Sequence, residues 1–568
     1  MIKIVSIEQM QQIEAAADAQ GTSYDTMFER VSVAVAGHIQ QHLTETTEPR
    51  VAILVGSGNN GGDGLVTAQR LAETTDIEVG VYLVTNRDED EQLAAVREAD
   101  VFIAKAEDDQ QYRVLRNLVA SAHVVVDAIF GIGVRLPLEG EITKILQNVH
   151  QALDASPVPE ATLIQPHMPK EHAPQQQRVI ALDCPSGVNC DTGEVDKHTL
   201  FADETITFIA VKQGLLSPPA ADAVGTLLVA PLGIPADLDE LAAVDLTYID
   251  SEAAAQLLPE RGHMSHKGTF GKAMIAAGSI NYTGAAGLAA RAAYRAGTGL
   301  VTVAAPSPVI GGLAAQMLEA TWVLLPHDMG VLSEKAADLL LKELAGYSAL
   351  LVGPGIGTED TTRDMLVKLF EASQPEKDRK DRRTLGFAGL RAKDETQTTE
   401  KDDSPTPLPP LVLDADALNL LVDIEEWHQQ LPEQTILTPH PGEMARLCDA
   451  DTEAIQSRRV EVAREQAAAW NAIVVLKGAH TVIAAADGRT AVLPFKTAAL
   501  ATAGTGDVLS GVIVSLRAQG LAAYEAAVLG GYLHGLAGVL AGQQHGNVTS
   551  PVASDVLDQL SAAISSLA

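Results

Sequence analysis

Two glycine-rich stretches of the sequence carry polar side chains at spacings suited to chemistry on a phosphate-bearing ligand. One is "VGSGNNGGDG", residues 55 to 64, and the other is "TAGTGD", which ends at Asp507. Glycines let a ligand approach the backbone closely, and free amides at a helix N-terminus bind anions. The first stretch has neither the G-x-G-x-x-G spacing nor the lysine of a P-loop, so it predicts phosphate binding without assigning a dinucleotide or P-loop site.

Three single side chains in the second half of the sequence have both a chemical and a structural interpretation. Asp507 would repel phosphate if it were purely structural, so we predict that it takes a proton from a hydroxyl that attacks a phosphoryl group; the alternative is a helix cap. Lys477 lies at the end of the predicted strand "VVLK". Its side chain is predicted either to contact a phosphate or to be a solvated lysine of an ordinary hairpin. The prolines on both sides of His440 in "TPHPGE" restrict the backbone there. This indicates either that the His440 side chain is held in one position for a function, or that the segment is a turn before a helix that starts near Glu443.

Polar side chains also follow two predicted strands of the first half. Asp127 ends "VVVD", and Asp183 and Ser186 follow "VIAL". The carboxyl ends of parallel strands share one crevice, so Asn60, Asp127 and Ser186 are expected to converge as oxygen ligands of a hard cation. Asp183 is then left for acid or base chemistry, although a single strand-end aspartate is also an ordinary helix cap.

These side chains must be positioned by alternating strands and helices. Short β-branched runs alternate with helical patterns from Val51 onward, which predicts an α/β fold with parallel sheets. The alternation pauses over residues 231 to 262, so we predict a boundary near residues 240 to 255 and two domains, 1–240 and 250–568. The aperiodic segments 151–177 and 372–408 are predicted to be mobile surface insertions without a chemical role.

Composition excludes several functional classes. The 568 residues carry a formal charge of -34, which opposes binding to nucleic acid or to an anionic membrane. The three cysteines lack metal-ligand spacing and do not form a disulfide framework, and the sequence shows no signal peptide or membrane-spanning run. We therefore predict a cytoplasmic protein whose oligomeric state, a homo-oligomer included, is left open.

The motifs of the first half, "GSGNNGGDG", "DAIFGIGVRLP" and "ALDCPSGVNCDTG", resemble the epimerase domain of NAD(P)H-hydrate repair enzymes over residues 1 to 235. The resemblance implies a Rossmann-like three-layer fold that interconverts the R and S forms of hydrated NADH or NADPH. It implies potassium bound by Asn60, Asp127 and Ser186, with Asp183 both catalytic and in contact with substrate. The other implied substrate contacts are Asn59, Asn60, Gly61, Gly62, Asp63, Gly131, Ile132, Gly133, Val134, Arg135, Leu136 and Pro137.

The second half resembles the ribokinase-like superfamily and, more closely, the NAD(P)H-hydrate dehydratase domain. The motifs are "HKG", "YTGAAGLAARAAYRAGTGLVTV", "GPGIGT", "VLDADALNLL", "TPHPGE", "LKGAHT" and "TAGTGD". The resemblance implies a hydrate-binding site formed by Ala285, Gly357, His440 and Asp507. It implies an adenine-nucleotide site formed by Lys477, Gly478, Ala479, His480, Thr481 and Gly506.

The resemblance also implies the reaction. Asp507 would deprotonate the hydroxyl of the S hydrate, and magnesium with the amides of 504 to 506 would stabilise the transferring phosphoryl group. Expulsion of phosphate would regenerate NAD(P)H, with AMP as the second product when ADP, the favoured donor, is used. The alternatives are ATP as donor, a ribokinase-like small-molecule kinase, and a first domain that is a noncatalytic nucleotide-binding or partner-binding module.

Overall fold

The computed structural model describes residues 2–87, 90–154, 177–373 and 407–568. It divides the chain into two compact units, one of residues 2–245 and one of residues 246–568. The predicted insertions 151–177 and 372–408 lie largely outside the described residues, and their first residues continue the helices that end at Leu153 and Ser373.

The first unit is built on a seven-stranded parallel sheet with the strand order β4-β3-β2-β5-β6-β7-β9. Its strands are β1 Ile2–Val5, β2 Arg50–Val55, β3 Glu78–Leu83, β4 Phe102–Lys105, β5 Val124–Ala128, β6 Arg178–Leu182, β7 Glu204–Phe208, β8 Val211–Lys212 and β9 Thr226–Ala230. Its helices are α1 Ile7–Ala19, α2 Tyr24–Leu43, α3 Asn59–Thr74, α4 Glu91–Glu98, α5 Arg113–Ser121, α6 Glu141–Leu153, α7 Ala220–Ala223 and α8 Asp239–Ala242. Strands β1 and β8 form a separate parallel pair within this unit.

Continuous apolar runs such as "RVAILV" in β2 form this sheet because both of its faces are covered by helices. Val51, Ile53 and Val55 face the core made with α1, α2 and α3. Ala52 and Leu54 face the core made with α5 and α6. The alternation of side chains along a strand therefore produces a three-layer α/β/α unit.

The second unit contains a mixed sheet with the strand order β13-β12-β11-β16-β17-β18-β19-β20-β21-β10. Its strands are β10 Leu246–Tyr248, β11 Lys272–Ala276, β12 Leu300–Ala305, β13 Thr321–Leu324, β14 His327–Asp328, β15 Val331–Leu332, β16 Ala349–Val352, β17 Leu411–Leu413, β18 Ile436–Leu437, β19 Ile473–Leu476, β20 Val482–Ala484 and β21 Thr490–Val492. Strand β20 runs antiparallel to both of its neighbours, and the other pairs in this sheet are parallel.

The helices of the second unit pack small residues against one another. They are α9 Ser251–Ala255, α10 Thr283–Arg295, α11 Ser307–Leu313, α12 Ala336–Glu343, α13 Asp360–Ser373, α14 Asp416–Leu421, α15 Pro441–Leu447, α16 Thr452–Ser457, α17 Arg459–Trp470, α18 Thr505–Ala518, α19 Ala523–His545 and α20 Ala553–Ser565. A Cβ at Gly511 of α18 would collide with the backbone of Ala289 in α10, so glycine permits this close crossing. Among the described helices, none is both long and apolar enough to cross a membrane.

The predicted α/β architecture with two domains is confirmed by these two sheets. The structure divides the chain between Asp245 and Leu246, and the bounds 1–240 and 250–568 stay predictions. In the first unit's seven-stranded sheet, and for β11, β12, β13, β16, β17, β18 and β19 of the second unit, the strands are parallel and place their carboxyl ends at one edge of their own sheet. In each unit, a glycine-rich loop lies at this edge and leads into a helix, α3 in the first unit and α18 in the second.

Candidate active sites

In the first unit, the three predicted cation ligands are connected through the backbone of Phe130. Asn60 donates from Nδ2 to the Phe130 carbonyl at 2.9 Å, and the Phe130 amide donates to Ser186 Oγ at 2.9 Å. Ser186 Oγ then donates to Asp127 Oδ1 at 2.6 Å, and the Ser186 amide donates to Asp127 Oδ2 at 2.8 Å. The structure therefore brings Asn60, Asp127 and Ser186 together.

The donor set of this cluster fits a hard cation. Asn60 Oδ1 is buried and has no hydrogen-bond partner among the described residues, which is costly unless another group occupies its lone pairs. Burial raises the pKa of Asp127, although hydrogen bonds from Ser186 and Ile129 lower it. Carboxylate, amide and hydroxyl oxygens are ligands that a hard cation accepts, so these residues fit potassium.

Asp183 forms an ion pair with Lys212, a residue that the sequence analysis missed. The fully buried Lys212 ammonium donates to Asp183 Oδ1 and also to Thr207 Oγ1 at 3.1 Å and the Phe208 carbonyl at 3.0 Å. Burial alone would lower the pKa of Lys212, but the charge of Asp183 and the hydrogen bond to it outweigh burial and raise that pKa. The lysine within the apolar run "TFIAVKQGLL" was the signal that could have identified it.

Asp63 and Glu14 complete a group of carboxyls around this ion pair. Burial, followed by the charges of Asp183 and Glu14, raises the pKa of Asp63 well above its ordinary value despite the opposing effect of Lys212. Burial and then Asp183 also raise the pKa of Glu14. The site therefore combines a lysine-paired carboxylate with a carboxyl that favours its protonated form. Glu14 was not identified from the sequence.

Arg87 donates hydrogen bonds to the glycine-rich loop that precedes α3. Arg87 donates from Nη1 to the Gly56 carbonyl at 3.1 Å and to the Gly58 carbonyl at 3.0 Å. A Cβ at Gly61 would collide with the Gly56 carbonyl oxygen, so glycine is required there. Arg87 has no counterpart in the sequence prediction.

The predicted substrate segment from Gly131 to Pro137 starts beside this site. A Cβ built at Gly131 would lie 3.3 Å from Asn60 Cβ and 3.6 Å from Asp183 Oδ2. Asn59 to Asp63 form the first turn of α3, so their position at the helix N-terminus suits an anionic ligand. The first unit thus gathers the strand-end aspartates, the glycine loop and the start of this segment at one edge.

In the second unit, Asp507 lies in the first turn of α18. Gly504 precedes that helix with a φ of 89°, a left-handed conformation that favours glycine. Burial, followed by the negative charge of Asp414, raises the pKa of Asp507 to about 7, although Lys477 lowers it. A carboxyl with a pKa near neutrality suits proton transfer, and the choice between a base and a helix cap for Asp507 stays a prediction.

Lys477 faces a second group of carboxylates beside Asp507. Its ammonium lies 2.9 Å from Asp414 Oδ1 and 3.6 Å from Glu443 Oε2. Burial alone would lower the pKa of Lys477, but these two charges raise it. A Cβ on Gly506 would lie 3.5 Å from the ammonium, so Lys477 and Gly506 are neighbours as the predicted nucleotide site requires.

Asp414 is the second unit's counterpart of Asn60, because one of its oxygens has no partner. Asp414 Oδ1 accepts from Thr438 Oγ1 at 2.7 Å and from Lys477, whereas the buried Oδ2 has no hydrogen-bond partner within the described ranges. Unpaired carboxylate oxygen suits a hard divalent cation, so the residues fit magnesium. Asp414 and Glu443 were not identified as site residues, although both lie in quoted motifs, "VLDADALNLL" and "TPHPGE".

His440 is both a helix cap and a neighbour of the charged group. The predicted start of a helix near Glu443 is wrong by two residues, because proline is well suited to a first helical position and α15 begins at Pro441. His440 Nδ1 accepts from the amides of Gly442 at 3.0 Å and Glu443 at 3.2 Å. Burial, then Lys477, lowers the pKa of His440. Nδ1 therefore accepts from the backbone, and Nε2 lies 3.5 Å from Glu443 Oε1, so a ligand that contacts Nε2 would also lie beside this carboxylate.

The remaining predicted residues of this unit fall into two places. A Cβ built on Gly355 would lie 3.0 Å from the Cβ of Ala285, and Gly357 follows in the same turn, with its amide donating to Asp416 at 2.9 Å. The segment Lys477 to Thr481 links β19 to β20; Gly478 and Ala479 are exposed there, and Thr481 Oγ1 donates to the Gly478 carbonyl at 3.0 Å. His480 is buried, and burial lowers its pKa to about 4.

Comparison with known proteins agrees with this division. Residues 24–214 match the family described as YjeF-related protein N-terminus, and residues 273–376 and 388–559 match the NAD(P)H-hydrate dehydratase family. A bifunctional NAD(P)H-hydrate repair enzyme of Moorella thermoacetica is 34% identical over 94% of this chain and 91% of its own length. The enzyme of the same name from Thermofilum pendens is 30% identical over 96% of this chain and 93% of its own.

Among solved structures, an ADP/ATP-dependent NAD(P)H-hydrate dehydratase of Bacillus subtilis is 29% identical and covers 57% of this chain and 100% of its own, with a TM-score of 0.46. The fold and the matched families define a two-unit α/β enzyme. The chain belongs to the family of bifunctional NAD(P)H-hydrate repair enzymes. This membership confirms the predicted family and enzyme class, and it favours repair over the kinase alternative.

Proposed function

We propose that the second unit removes water from the S form of hydrated NADH or NADPH by phosphorylating its hydroxyl. The observation that carries this proposal is Asp507, whose pKa is about 7 at the N-terminus of α18. Asp507 takes the hydroxyl proton while the oxygen attacks the phosphoryl group of the donor. The lone pair of the ring nitrogen then expels phosphate from the ring carbon that carried the hydroxyl. The ring carbon next to that one loses a proton to solvent, which restores the double bond of the reduced nicotinamide.

The other residues of the second site hold the donor. Lys477 and the segment through Thr481, together with Gly506, bind the adenine nucleotide, and Ala285, Gly357 and His440 contact the hydrate. Asp414, with its unpaired buried oxygen, is the residue that would hold magnesium, which when bound neutralises phosphate charge. ADP is the favoured donor because of the family resemblance, and AMP is then the second product.

The first unit supplies the S form from the R form. Asp63 is assigned as the acid because burial raises the pKa of its carboxyl. It protonates the leaving hydroxyl, and water departs from the ring carbon as the nitrogen lone pair forms an iminium ion. Water then adds to the opposite face, and Asp183 accepts its proton. Asn60, Asp127 and Ser186 would hold potassium, supported by the unpaired Asn60 oxygen, and Asn59 to Asp63 with Gly131 to Pro137 contact the nucleotide.

The proposed location is the cytoplasm. Cys184, Cys190 and Cys448 are all free thiols, and the first two are buried, which suits a reducing compartment. The substrates, reduced nicotinamide cofactors damaged by hydration, are met where those cofactors are used.

The test mixes the purified protein with R and S hydrated NADH, magnesium, potassium and either ADP or ATP, and follows the recovery of reduced-nicotinamide absorbance. Full recovery with one donor supports both activities and decides the donor. Recovery of only the S portion would overturn the epimerase assignment, and a stable phosphorylated product without recovery would restore the kinase alternative.

A further inference from the structure

Three side chains of metal-ligand type meet at the end of the first unit's sheet that is away from the proposed epimerase site. His38 and His42 lie one turn apart on α2, and Glu204 is the first residue of β7. Glu204 Oε2 lies 2.5 Å from His38 Nε2 and 2.9 Å from His42 Nε2, and the two ring nitrogens are 3.1 Å apart. The two ring planes are nearly perpendicular, with an interplanar angle of 89°.

These three atoms form a triangle of the size that a small transition-metal ion requires. A point roughly 1.2 Å above the plane of the three atoms lies about 2.0 to 2.1 Å from each of them, the bond length of zinc to imidazole nitrogen and carboxylate oxygen. The spacing of the histidines follows from the helix, because residues i and i+4 lie on the same face. Two histidines and one carboxylate leave a fourth position for solvent.

A simple ion pair does not account for this arrangement as well. Arg178 Nη1 already lies 2.7 Å from Glu204 Oε1 and compensates the carboxylate. Both histidines nevertheless direct Nε2 at the other oxygen, and the two ring nitrogens lie 3.1 Å from each other, so three atoms of metal-ligand type converge. A shared cation accepts all three atoms as ligands, and Arg178 then orients the ligating carboxylate from outside, as groups around metal sites commonly do.

We propose that His38, His42 and Glu204 bind one late first-row divalent ion of the zinc type. The side chains of the two histidines are 20% and 23% exposed, so an ion can reach the site from solvent. His42 and Arg178 also border a cavity of about 60 Å³, which has room for the solvent ligand. The donors differ from the all-oxygen set of Asn60, Asp127 and Ser186, so the two sites select different ions.

The site ties helix α2 to the sheet and does not take part in the proposed reaction. Phe208, the last residue of β7, contacts Asp183 through its amide, whereas Glu204 is the first residue of the same strand. The four residue steps from Glu204 to Phe208 span about 13 Å. We therefore expect the ion to stabilise the first unit and to leave epimerisation within about twofold.

The test is a cobalt titration of the full chain after treatment with a chelator, with excess magnesium present to occupy oxygen-rich sites. Cobalt reports tetrahedral nitrogen and oxygen ligands by its visible absorption. We expect one equivalent per chain, a higher Tm with zinc, and at least tenfold weaker binding in His42→Gln. His545→Gln is the matched control, because His545 lies 3.4 Å from Asp555 and no third ligand-type side chain joins them among the residues that the structure describes.

Absence of a visible cobalt spectrum in the unsubstituted chain, or equal binding by the chain with His42→Gln, would overturn the proposal. If His42→Gln does not fold, His38→Gln provides the same comparison. The readout is metal binding, so it is independent of whether the chain repairs hydrated cofactors.

Discussion

Each unit places an aspartate near a buried lysine at the edge of its sheet, but the lysine has a different partner in each. Lys212 donates directly to Asp183, its catalytic neighbour in the proposed epimerase site. Lys477 donates instead to Asp414, and Asp507 is left with a pKa of about 7. An aspartate that the lysine contacts directly is therefore part of an ion pair. An aspartate near the lysine but not in contact with it has a raised pKa and can titrate near neutral pH.

The arrangement around each aspartate explains the difference in physical terms. In the first unit, Lys212 donates to Asp183, whereas burial and then the charge of Asp183 raise the pKa of Asp63 and of Glu14. In the second unit, Asp414 contacts the lysine, and burial together with the charge of Asp414 raises the pKa of Asp507. In each unit, the raised pKa therefore belongs to a carboxyl other than the one that pairs with the lysine.

The largest expected effect separates the two units. Asp507→Asn should lower the rate of dehydration by about 10²- to 10⁴-fold, because the base is removed while the fold is retained. Epimerisation measured by chromatography of the R and S forms should be unchanged. Loss of both activities would contradict the assignment of one reaction to each unit.

The next effect concerns the ion pair between Lys212 and Asp183 in the first unit. Lys212→Met leaves Asp183 buried and unpaired, so the first unit should lose about 3 to 5 kcal/mol of stability, measured by hydrogen exchange in β6 and β7. Epimerisation should fall with it. In the chain with both Asp183→Asn and Lys212→Met, stability should be largely recovered but epimerisation should not, and recovery of both would exclude the catalytic role of Asp183.

The rate of dehydration should depend on pH through the titration of Asp507. The base must be deprotonated, so kcat/KM for dehydration should fall about tenfold for each pH unit below pH 7 and level off above it. Epimerisation should not show the same inflection. A dehydration profile that stays flat from pH 5.5 to pH 8 would mean that another group takes the proton.

The raised pKa of Asp507 should also make the stability of the second unit depend on pH. The pKa of Asp507 is higher in the folded chain than in the unfolded one, so its contribution to stability is present below about pH 4 and is lost as pH rises through 7. Asp507→Asn should therefore stabilise the second unit at pH 8, by on the order of 1 to 3 kcal/mol, and not at pH 4. Equal Tm changes at the two pH values would contradict the raised pKa.

The smallest effect concerns His440. His440→Asn should preserve the cap of α15, since asparagine is a favourable N-cap, whereas His440→Ala should cost about 1 kcal/mol. An increase in KM for the hydrate in both variants, with Tm lowered only in His440→Ala, is expected if Nε2 contacts substrate. An unchanged KM in His440→Asn would leave His440 with the structural role alone.

Much of both sites could be predicted from the sequence because their central parts are local. The glycine loops lie at the N-termini of α3 and α18, and Asp127 and Asp183 follow strands of one parallel sheet, as the alternating pattern indicated. The neighbours of these residues were harder to predict. Arg87 reaches the first loop from 29 residues beyond Gly58, and the importance of Asp414 depends on one oxygen that finds no partner.

The sequence by itself determined the order of the elements, the two glycine-rich helix N-termini and the family, because these depend on short-range patterns and on motif order. The tertiary structure alone decided which charges meet. Lys212 reaches Asp183 across 29 positions, and Glu204 reaches His38 across 166. Such contacts depend on side-chain direction and burial in the packed units, and the pKa values that define each site follow from them.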